Sequence, residues 1–160
     1  MRIAVGCDHA GFPLKARAIA ELERLGHDVL DLGTDSTEAV DYPDFAQAVA
    51  EAVMRGEAER GLLICGSGVG ASVAANKVPG ARAATCHDTF SARQGVEDDD
   101  MNVLCLGARV VGPELSLEII RAWQGATFSN AERHVRRLGK VKAIEQQYFR
   151  SKDAPHAKPD

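Results

Sequence analysis

The sequence predicts an α/β fold, with an open, doubly wound parallel sheet of five strands in a single domain. Short apolar segments alternate with amphipathic helical segments along almost all of the 160 residues. The apolar segments are hydrophobic on both faces, which is typical of strands that helices cover on both sides. A regular alternation of strands and helices favours right-handed crossovers and a parallel sheet. Such sheets bind ligands at the carboxyl ends of their strands.

The individual elements follow one another in order along the chain. Five apolar segments are predicted as strands, at residues 2–6, 29–32, 62–65, 83–86 and 103–106. Apolar stripes at helical spacing lie between the strands. The first stripe ends at Gly26 and the second at Gly56, since a glycine commonly follows the last turn of a helix. A short helix rich in small residues follows Gly70, and Pro113 marks the start of another helix.

A long basic helix is predicted near the carboxyl end, over residues 130–149. It has five basic residues against two acidic ones between Ser129 and Tyr148, together with an apolar stripe. The last ten residues offer almost nothing to bury, so we expect a disordered tail. The sequence therefore predicts one domain over residues 1–150 and a tail over residues 151–160.

Charge and cysteine content exclude several classes of function. The net charge of -4 provides no general attraction for nucleic acid or for an anionic membrane. No apolar run approaches the roughly 20 residues that cross a bilayer. None of the four cysteines belongs to a CxxC pair, which favours reduced thiols over disulfides or a zinc site. We therefore expect a cytoplasmic protein that binds neither nucleic acid nor membrane.

The strongest local signal is the segment from Cys65 to Gly70, where a buried strand delivers a cysteine to a glycine-rich turn that opens a helix. Glycines let the backbone turn sharply and direct several N–H groups at one point, which creates a binding place for negative charge. The same amides favour the thiolate form of the cysteine. A thiolate base and hydrogen-bond donors for an enediolate oxygen would then come from one turn.

Two other interpretations of this turn stay open, and a third is excluded. Cys65 also fits a small, buried, hydrophobic residue. The glycines and Ala71 also match a loose dinucleotide-binding pattern, GxGxxA, with Asp88 downstream. That pattern is weak here because it follows the third strand and opens a short helix. A phosphatase loop of the Cys-x5-Arg type is excluded because the turn has no arginine.

Three further groups of residues are less specific. Asp8 and His9 end the first strand, where they suit either contact with sugar hydroxyls or a plain helix cap beside a surface histidine. Arg133 and Arg137 share one face of the last helix, which suits either a phosphate or solvent. The acidic run at residues 97–100 is more typical of a solvated turn or a helix cap than of a metal site.

Taken together, these motifs resemble those of the type B ribose-5-phosphate isomerases and the related galactose-6-phosphate isomerase subunits. The resemblance extends from residue 1 to residue 149 in order and without large gaps. Several motifs in one order are far more specific than any one of them. The matching segments are residues 6–11, 41–43, 65–70, 74–77, 102–104 and 107–110, followed by Arg133, His134 and Arg137.

The resemblance implies a Rossmann-like fold, a homodimer or dimer of dimers, and isomerisation of a sugar phosphate through a cis-enediolate without metal or cofactor. Cys65 matches the catalytic base, and Ser67 matches a position near the reacting oxygens. The resemblance also assigns an anion-binding turn, sugar-binding positions and a phosphate-binding group that the neighbouring subunit partly supplies. These residues are, in that order, Gly66, Gly68, Val69 and Gly70; Asp8, His9 and Tyr42; and Arg109, Arg133 and Arg137.

One departure from the family pattern concerns residues 98–100. The family commonly has His-Asn-Asp there and assigns the opening of the sugar ring to the histidine, whereas this sequence has three aspartates. Three explanations are open: Asp98 is itself the acid, His87 or His9 replaces the histidine, or the substrate needs no ring opening. A tetrose 4-phosphate meets the last condition because its terminal hydroxyl is blocked. Asp99 takes the position of an asparagine that contacts the ligand.

Ribose 5-phosphate is the expected substrate, and the rival substrates are a tetrose 4-phosphate, allose 6-phosphate and galactose 6-phosphate. A rival from another class is a module that binds a nucleotide or sugar phosphate and catalyses nothing. The sequence thus predicts an isomerase with Cys65, Ser67 and Asp98 as catalytic residues, Asp99 among the ligand-binding residues, and no cofactor.

Overall fold

The computed structural model describes residues 1–149, and within them strands and helices alternate as far as the fifth helix. The strands are β1 (Arg2–Cys7), β2 (Asp28–Asp31), β3 (Arg60–Cys65), β4 (Ala83–Thr85) and β5 (Val103–Gly107). The helices are α1 (Phe12–Arg24), α2 (Tyr42–Met54), α3 (Val69–Ala75), α4 (Thr89–Asp99), α5 (Pro113–Gly125) and α6 (Glu132–Phe149).

The five strands form one parallel sheet in the order β2-β1-β3-β5-β4. The predicted α/β, Rossmann-like fold is therefore confirmed. Strand β3 lies at the centre, between β1 and β5. The chain passes from β1 to the edge strand β2 and then crosses back to β3, on the other side of β1. Such a reversal opens a crevice at the carboxyl ends of the two strands, which is where sheets of this kind bind ligands.

Helices cover both faces of the sheet and create two apolar cores. Helices α1, α4 and α5 pack on one face, and helices α2 and α3 pack on the other. Ile64 and Trp123 are fully buried in the first core, and Leu63 and Val49 are fully buried in the second. Consecutive residues of β3 point to opposite faces, so this strand must be apolar on both sides. This pattern explains why the sequence predicted a covered sheet.

The observed elements differ from the predicted ones at their ends. Cys86 lies just beyond β4 rather than within it. Helix α6 begins at Glu132, two residues later than predicted, because Asn130 adopts a φ of 53°, in the left-handed region that a helix cannot contain. The predicted tail, residues 151–160, lies outside the described residues. Within the described part of the chain, no helix combines the length and the apolar composition needed to cross a membrane.

Candidate active site

The turn after β3, the cysteine turn or glycine turn of residues 65–70, directs a backbone amide at the sulfur of Cys65. The Gly68 N–H donates a hydrogen bond to Cys65 Sγ over 3.1 Å. Gly68 has a φ of 83°, which is readily adopted only by glycine. A Cβ atom at Gly68 would also lie 2.8 Å from Cγ2 of Thr85, so the turn has no room for a side chain. A backbone N–H aimed at a sulfur interacts more favourably with a thiolate than with a thiol.

The other three cysteines are in a different environment. The exposed fraction is 5% for Cys65, against 1%, 3% and 0% for Cys7, Cys86 and Cys105. Burial raises the pKa of both Cys7 and Cys86 to about 11, and it also raises the pKa of Cys105. These three thiols are therefore neutral near pH 7 and contribute to packing. Cys65 alone has its sulfur in the glycine turn.

Strand β5 holds this turn in place through the main chain. The Ala108 N–H donates to the carbonyl oxygen of Cys65 over 2.8 Å, and the Arg109 N–H donates to that of Gly66 over 3.0 Å. These bonds extend the pairing of β3 with β5 beyond the ends of both strands. The amides of the turn are consequently fixed before any ligand arrives, which is the condition for effective stabilisation of a developing negative charge.

Asp8 lies beside the turn, at the carboxyl end of β1. Its side chain is 7% exposed, and its Oδ1 atom accepts hydrogen bonds from the N–H groups of Ala10 and Gly11 over 3.0 and 2.9 Å. Asp8 therefore shapes the tight turn that precedes α1, which is close to the capping role considered from the sequence. Its location at the end of β1, next to β3, is also compatible with the predicted contact to the sugar.

His9 and Arg109 line one cavity of about 490 Å³ at the same edge of the sheet, together with Thr37. The Nδ1 atom of His9 accepts a hydrogen bond from the Val40 N–H over 3.2 Å. The guanidinium of Arg109 extends over the cysteine turn, because a Cβ atom at Gly66 would lie 3.6 Å from Arg109 Nη1. An imidazole and a guanidinium around one cavity are suited to binding a phosphate or a sugar hydroxyl.

Tyr42 borders the glycine turn on the side of α2. Its side chain is 41% exposed, and a Cβ atom at Gly70 would lie 2.8 Å from the Cζ atom of its ring. The ring therefore packs directly on Gly70. Ser67 is exposed, and its Oγ atom accepts a hydrogen bond from the Val69 N–H over 3.3 Å. The hydroxyl of Ser67 thus lies at the open side of the turn, where a substrate would enter.

The structure places the predicted residues in two groups. Ten of them lie at the carboxyl ends of the strands. The other four, Asp98, Asp99, Arg133 and Arg137, lie near the amino ends of the strands. Helix α4 returns from the carboxyl end of β4 to the amino end of β5, and its 11 residues span about 16 Å. Both aspartates are in its last turn, and α6 packs against α4. One chain therefore does not unite these four residues with Cys65. The ten at the carboxyl edge are Asp8, His9, Tyr42, Cys65, Gly66, Ser67, Gly68, Val69, Gly70 and Arg109.

The acidic run forms the end of α4, and its side chains face different partners. The Oδ1 atom of Asp98 lies 3.3 Å from Nδ1 of His134, and its Oδ2 atom accepts a hydrogen bond from Gln94 over 3.1 Å. Asp100 forms an ion pair with Arg82 over 2.7 Å. The carboxylates do not converge, and residues 1–149 contain no group of three or more His, Cys, Asp or Glu residues arranged to hold a metal ion.

The first two turns of α6 divide their residues between solvent and the protein interior. Arg133 and Arg137 are exposed, four residues apart, as the spacing predicted. His134 points inward, is 4% exposed and shares a hydrogen bond of 2.6 Å with the hydroxyl of Ser129. Together with its contact to Asp98, this bond connects the start of α6 to the end of α4.

The residues on which the rival interpretations depend have other roles. Asp88 caps α4, because its carboxylate accepts hydrogen bonds from the N–H and hydroxyl of Ser91 over 2.7 and 2.8 Å. The backbone N–H of Ser91 lowers the pKa of this carboxyl group. Helix α3, which the glycine turn opens, has 7 residues. These features weaken the dinucleotide-binding interpretation, which needs an acidic residue free to contact a ribose.

Comparison with known proteins gives an independent indication of the family to which the chain belongs. The model of the Ribose/Galactose Isomerase family matches residues 3–141. The chain belongs to this family. The isomerase resembles ribose-5-phosphate isomerase B of Escherichia coli K12, with 49% identity over 145 residues that cover 91% of this chain and 97% of the relative. It also resembles D-erythrulose-4-phosphate isomerase of Pectobacterium atrosepticum, with 46% identity over 129 residues, 80% of this chain and 85% of the relative.

The fold of the isomerase also matches solved structures. A structure of ribose-5-phosphate isomerase B from Clostridium thermocellum superimposes with a TM-score of 0.90 at 49% identity, covering 92% of this chain and 99% of that one. The family and the enzyme class that the sequence predicted are therefore confirmed: the protein is an aldose–ketose isomerase of a sugar phosphate. The roles of its individual site residues stay predictions.

Sequence reasoning missed three residues of the candidate site. Thr37 borders the cavity and Val40 donates to His9, but both lie in the irregular segment between β2 and α2. Thr85 donates a hydrogen bond from Oγ1 to the carbonyl oxygen of Gly68 over 3.0 Å. Thr85 ends β4, so the rule that sites lie at strand ends would have found it. The other two have no local signal, because a main-chain donor and an exposed threonine are common in any loop.

Proposed function

We propose that this isomerase interconverts ribose 5-phosphate and ribulose 5-phosphate, with Cys65 as the base. The observation that carries the proposal is the hydrogen bond from the Gly68 N–H to Cys65 Sγ, next to a cavity lined by His9 and Arg109. A base, oxyanion donors and an anion-binding pair are the parts that an aldose–ketose isomerase of a sugar phosphate needs. The identity of 49% with ribose-5-phosphate isomerase B of Escherichia coli K12 supports this choice of substrate.

Binding begins at the phosphate, the end of the open-chain sugar remote from the reaction. Arg109 and His9 of one subunit hold the phosphate, with Arg133 and Arg137 of the partner subunit. Arginine forms paired, charge-assisted hydrogen bonds with phosphate oxygens. This remote contact provides binding energy that positions C1 and C2 of the sugar against the cysteine. Asp8 and Tyr42 contact the hydroxyls between the two ends.

The chemical step moves one proton between neighbouring carbons. The thiolate of Cys65 removes the proton from C2, and the electron pair of that C–H bond forms the C1–C2 double bond while the aldehyde oxygen becomes negatively charged. Amides of the turn from Gly66 to Gly70 hold this oxygen. A proton then passes from the C2 oxygen to the C1 oxygen through the hydroxyl of Ser67. The Cys65 thiol returns its proton to C1, so no electron leaves the sugar and no redox cofactor is needed.

We further propose that each site is shared between two subunits. Asp98, Asp99 and the two arginines of α6 lie a helix length from Cys65 within one chain, so a second copy is needed to bring them to the carboxyl edge. Apolar side chains are exposed on α3, which follows the cysteine turn, and at the start of α4: Val69, Val73 and Phe90 are 56%, 57% and 60% exposed. A partner subunit that covers these side chains would bury apolar surface and complete the site in the same step.

Turnover with matched cysteine variants tests the catalytic proposal. Ribulose 5-phosphate formation is followed for the wild type, Cys65→Ala and the control Cys86→Ala, whose thiol is buried outside the turn. A positioned base contributes about 10²- to 10⁴-fold to a proton transfer, so Cys65→Ala should lose that factor in kcat. Cys86→Ala should turn over like the wild type if it folds normally. Equal activity in Cys65→Ala and Cys86→Ala would remove Cys65 from the mechanism.

Mixing two inactive variants tests the shared site. Cys65→Ala and Arg137→Ala are unfolded together in equal amounts and refolded, so that half of the dimers contain one chain of each kind. Each mixed dimer has one site with both residues intact, and the mixture should recover about a quarter of wild-type turnover. Each variant refolded alone is the control. A mixture as inactive as its components would mean that Cys65 and Arg137 act in the same chain.

A second candidate substrate is a tetrose 4-phosphate, and the surroundings of Asp98 favour it. Oδ2 of Asp98 accepts a hydrogen bond from the Gln94 amide, and Oδ1 lies 3.3 Å from Nδ1 of His134. Both oxygens are thus placed as hydrogen-bond acceptors, whereas a ring-opening acid must carry a proton. A tetrose 4-phosphate closes no ordinary ring. The relative from Pectobacterium atrosepticum is a D-erythrulose-4-phosphate isomerase. The ratio of kcat/KM for the two substrates decides between the candidates. Unchanged turnover of ribose 5-phosphate by Asp98→Asn would exclude Asp98 as the ring-opening acid.

We also propose a cytoplasmic location for this isomerase. Its four cysteines are all free and buried, which suits a compartment that keeps thiols reduced. Fractionation of cells that express the full chain should recover it with cytoplasmic marker enzymes. Recovery with a secreted or membrane fraction would contradict this location.

A further inference from the structure

The segment between β2 and α2 is attached to the site at three points. At its start, the Thr34 N–H donates to the carbonyl oxygen of Cys7 over 3.0 Å. Just beyond its end, the ring of Tyr42, the first residue of α2, packs on Gly70. Between these points, the Val40 N–H donates to Nδ1 of His9 over 3.2 Å. The last bond joins this segment to a side chain that lines the cavity.

The direction of this bond determines the protonation of the imidazole ring. A backbone N–H can only donate, so Nδ1 of His9 must be the acceptor and cannot carry a proton. A neutral histidine with an unprotonated Nδ1 has its hydrogen on Nε2. An imidazolium has hydrogens on both nitrogens and would lose the bond to Val40. His9 therefore presents a single donor, Nε2–H, and the positive charge at the cavity comes from Arg109.

We propose that Val40 is a positioning residue, whose backbone N–H fixes His9 as the neutral Nε2–H tautomer that donates to an oxygen of the substrate. This inference rests on the proposed function for the identity of the ligand, although the hydrogen bond itself is independent of it. The role belongs to the main chain of Val40 and not to its side chain. Two different donors thus line the cavity, the permanently charged guanidinium of Arg109 and the neutral imidazole of His9.

Nuclear magnetic resonance of the full-length protein tests the bond without any substrate. The protein is labelled with ¹⁵N in histidine and in the backbone, and His9→Gln identifies the signals of His9 among the five histidines. We expect an unprotonated Nδ1, a protonated Nε2 and a scalar coupling between the nitrogen of Val40 and Nδ1 across the hydrogen bond. A protonated Nδ1, or the absence of this coupling, would overturn the proposal whatever the enzyme turns over.

Steady-state kinetics test the effect on binding. Val40→Pro removes the N–H, whereas the matched variant Val40→Ala retains it. One positioning hydrogen bond changes binding about fivefold, so KM for ribose 5-phosphate should be about five times higher in Val40→Pro than in Val40→Ala. The two kcat values should agree, because the bond is present before and during the reaction. Equal KM values, or a difference confined to kcat, would contradict the positioning role.

A second pair of variants covers the case in which Val40→Pro does not fold. The side-chain amide of His9→Gln places a donor near the position of Nε2, whereas His9→Asn places an acceptor near Nδ1 and has no donor further out. KM for His9→Gln should therefore be several-fold lower than KM for His9→Asn. The reverse order would mean that the outer nitrogen of His9 is not the donor that the substrate uses.

Discussion

The substitution Gly68→Ala perturbs the cysteine turn through two separable effects. The backbone at Gly68 has a φ of 83°, and an added Cβ atom would lie 2.8 Å from Cγ2 of Thr85 and 3.2 Å from the carbonyl carbon of Leu106. The left-handed backbone costs an alanine about 1–2 kcal/mol, and overpacking a filled site costs about 1–3 kcal/mol. We therefore expect Gly68→Ala to lower the free energy of unfolding by about 2–5 kcal/mol.

Gly26→Ala is the matched control for the backbone effect. Gly26 has nearly the same φ, 82°, but no atom lies within 4 Å of the position of its Cβ. It follows α1 and precedes β2, so it lies near the amino ends of the strands, away from the cysteine turn. Gly26→Ala should lose only about 1–2 kcal/mol of unfolding free energy and keep its turnover. The difference between the two variants, measured by urea unfolding with equal m values, gives the contribution of the close contacts alone.

Turnover provides the second measurement on Gly68→Ala. In the proposed mechanism Cys65 acts as a thiolate, so displacing the Gly68 N–H from Cys65 Sγ would remove a hydrogen bond to a charged acceptor, which is worth about 1.5–3 kcal/mol. This loss corresponds to a kcat about 10 to 160 times lower. The reasoning fails if Gly68→Ala is no less stable than Gly26→Ala and turns over at the wild-type rate, because neither the close contact nor the amide would then matter.

Three further predictions concern acid stability, thiol chemistry and the tail. Hydrogen bonds from Arg24 and Arg121 lower the pKa of Glu21 from 4.5 to about 2. The stabilisation by these hydrogen bonds is therefore fully present above pH 4.5, the pKa of this glutamate in the unfolded chain, and is lost as the pH falls towards 2. The difference in unfolding free energy between wild type and Glu21→Gln should shrink over that range; a constant difference would contradict it. Iodoacetamide at pH 8 should label Cys65 first, as identified by mass spectrometry of peptides. Turnover should fall in parallel with this labelling, and substrate should slow both; first labelling of another cysteine would refute this. Removing residues 151–160 should leave kcat and the unfolding midpoint unchanged, and a loss of either would place the tail in the folded domain.

Much of the fold was predictable because burial on both faces dictates the sequence of the strands. Strand β3 is apolar from Leu62 to Cys65, with Leu63 facing one core and Ile64 the other, and no amphipathic pattern competes with this assignment. The order of the strands was not predictable in the same way. Neighbours in the chain usually neighbour in the sheet, yet β5 lies between β3 and β4. Only tertiary packing specifies that insertion.

The site was predictable where chemistry and a strand end coincide, as at Cys65. It was not predictable where a side chain meets the backbone of a distant segment. The bond from Val40 to His9 joins residues 31 positions apart, and the donor has no sequence signature. Likewise, the acidic residues 97–100 suggested a solvated turn or a helix cap, and they do lie at the end of α4, but the contacts of their side chains with His134 and Arg82 had no signal in the sequence.

The position of β4 at the edge of the sheet affects how the enzyme matures during synthesis. Within the described residues, β4 pairs with β5 alone, although it is made before β5. The three residues of β4 therefore have no sheet partner until β5 has been synthesised. The contact of Thr85 with Gly68 forms only after that strand has inserted. Cys65 is thus synthesised early, but the contacts around its turn are completed only when β5 is present. We therefore expect chains that end before β5 to have a solvent-accessible Cys65 thiol and no turnover.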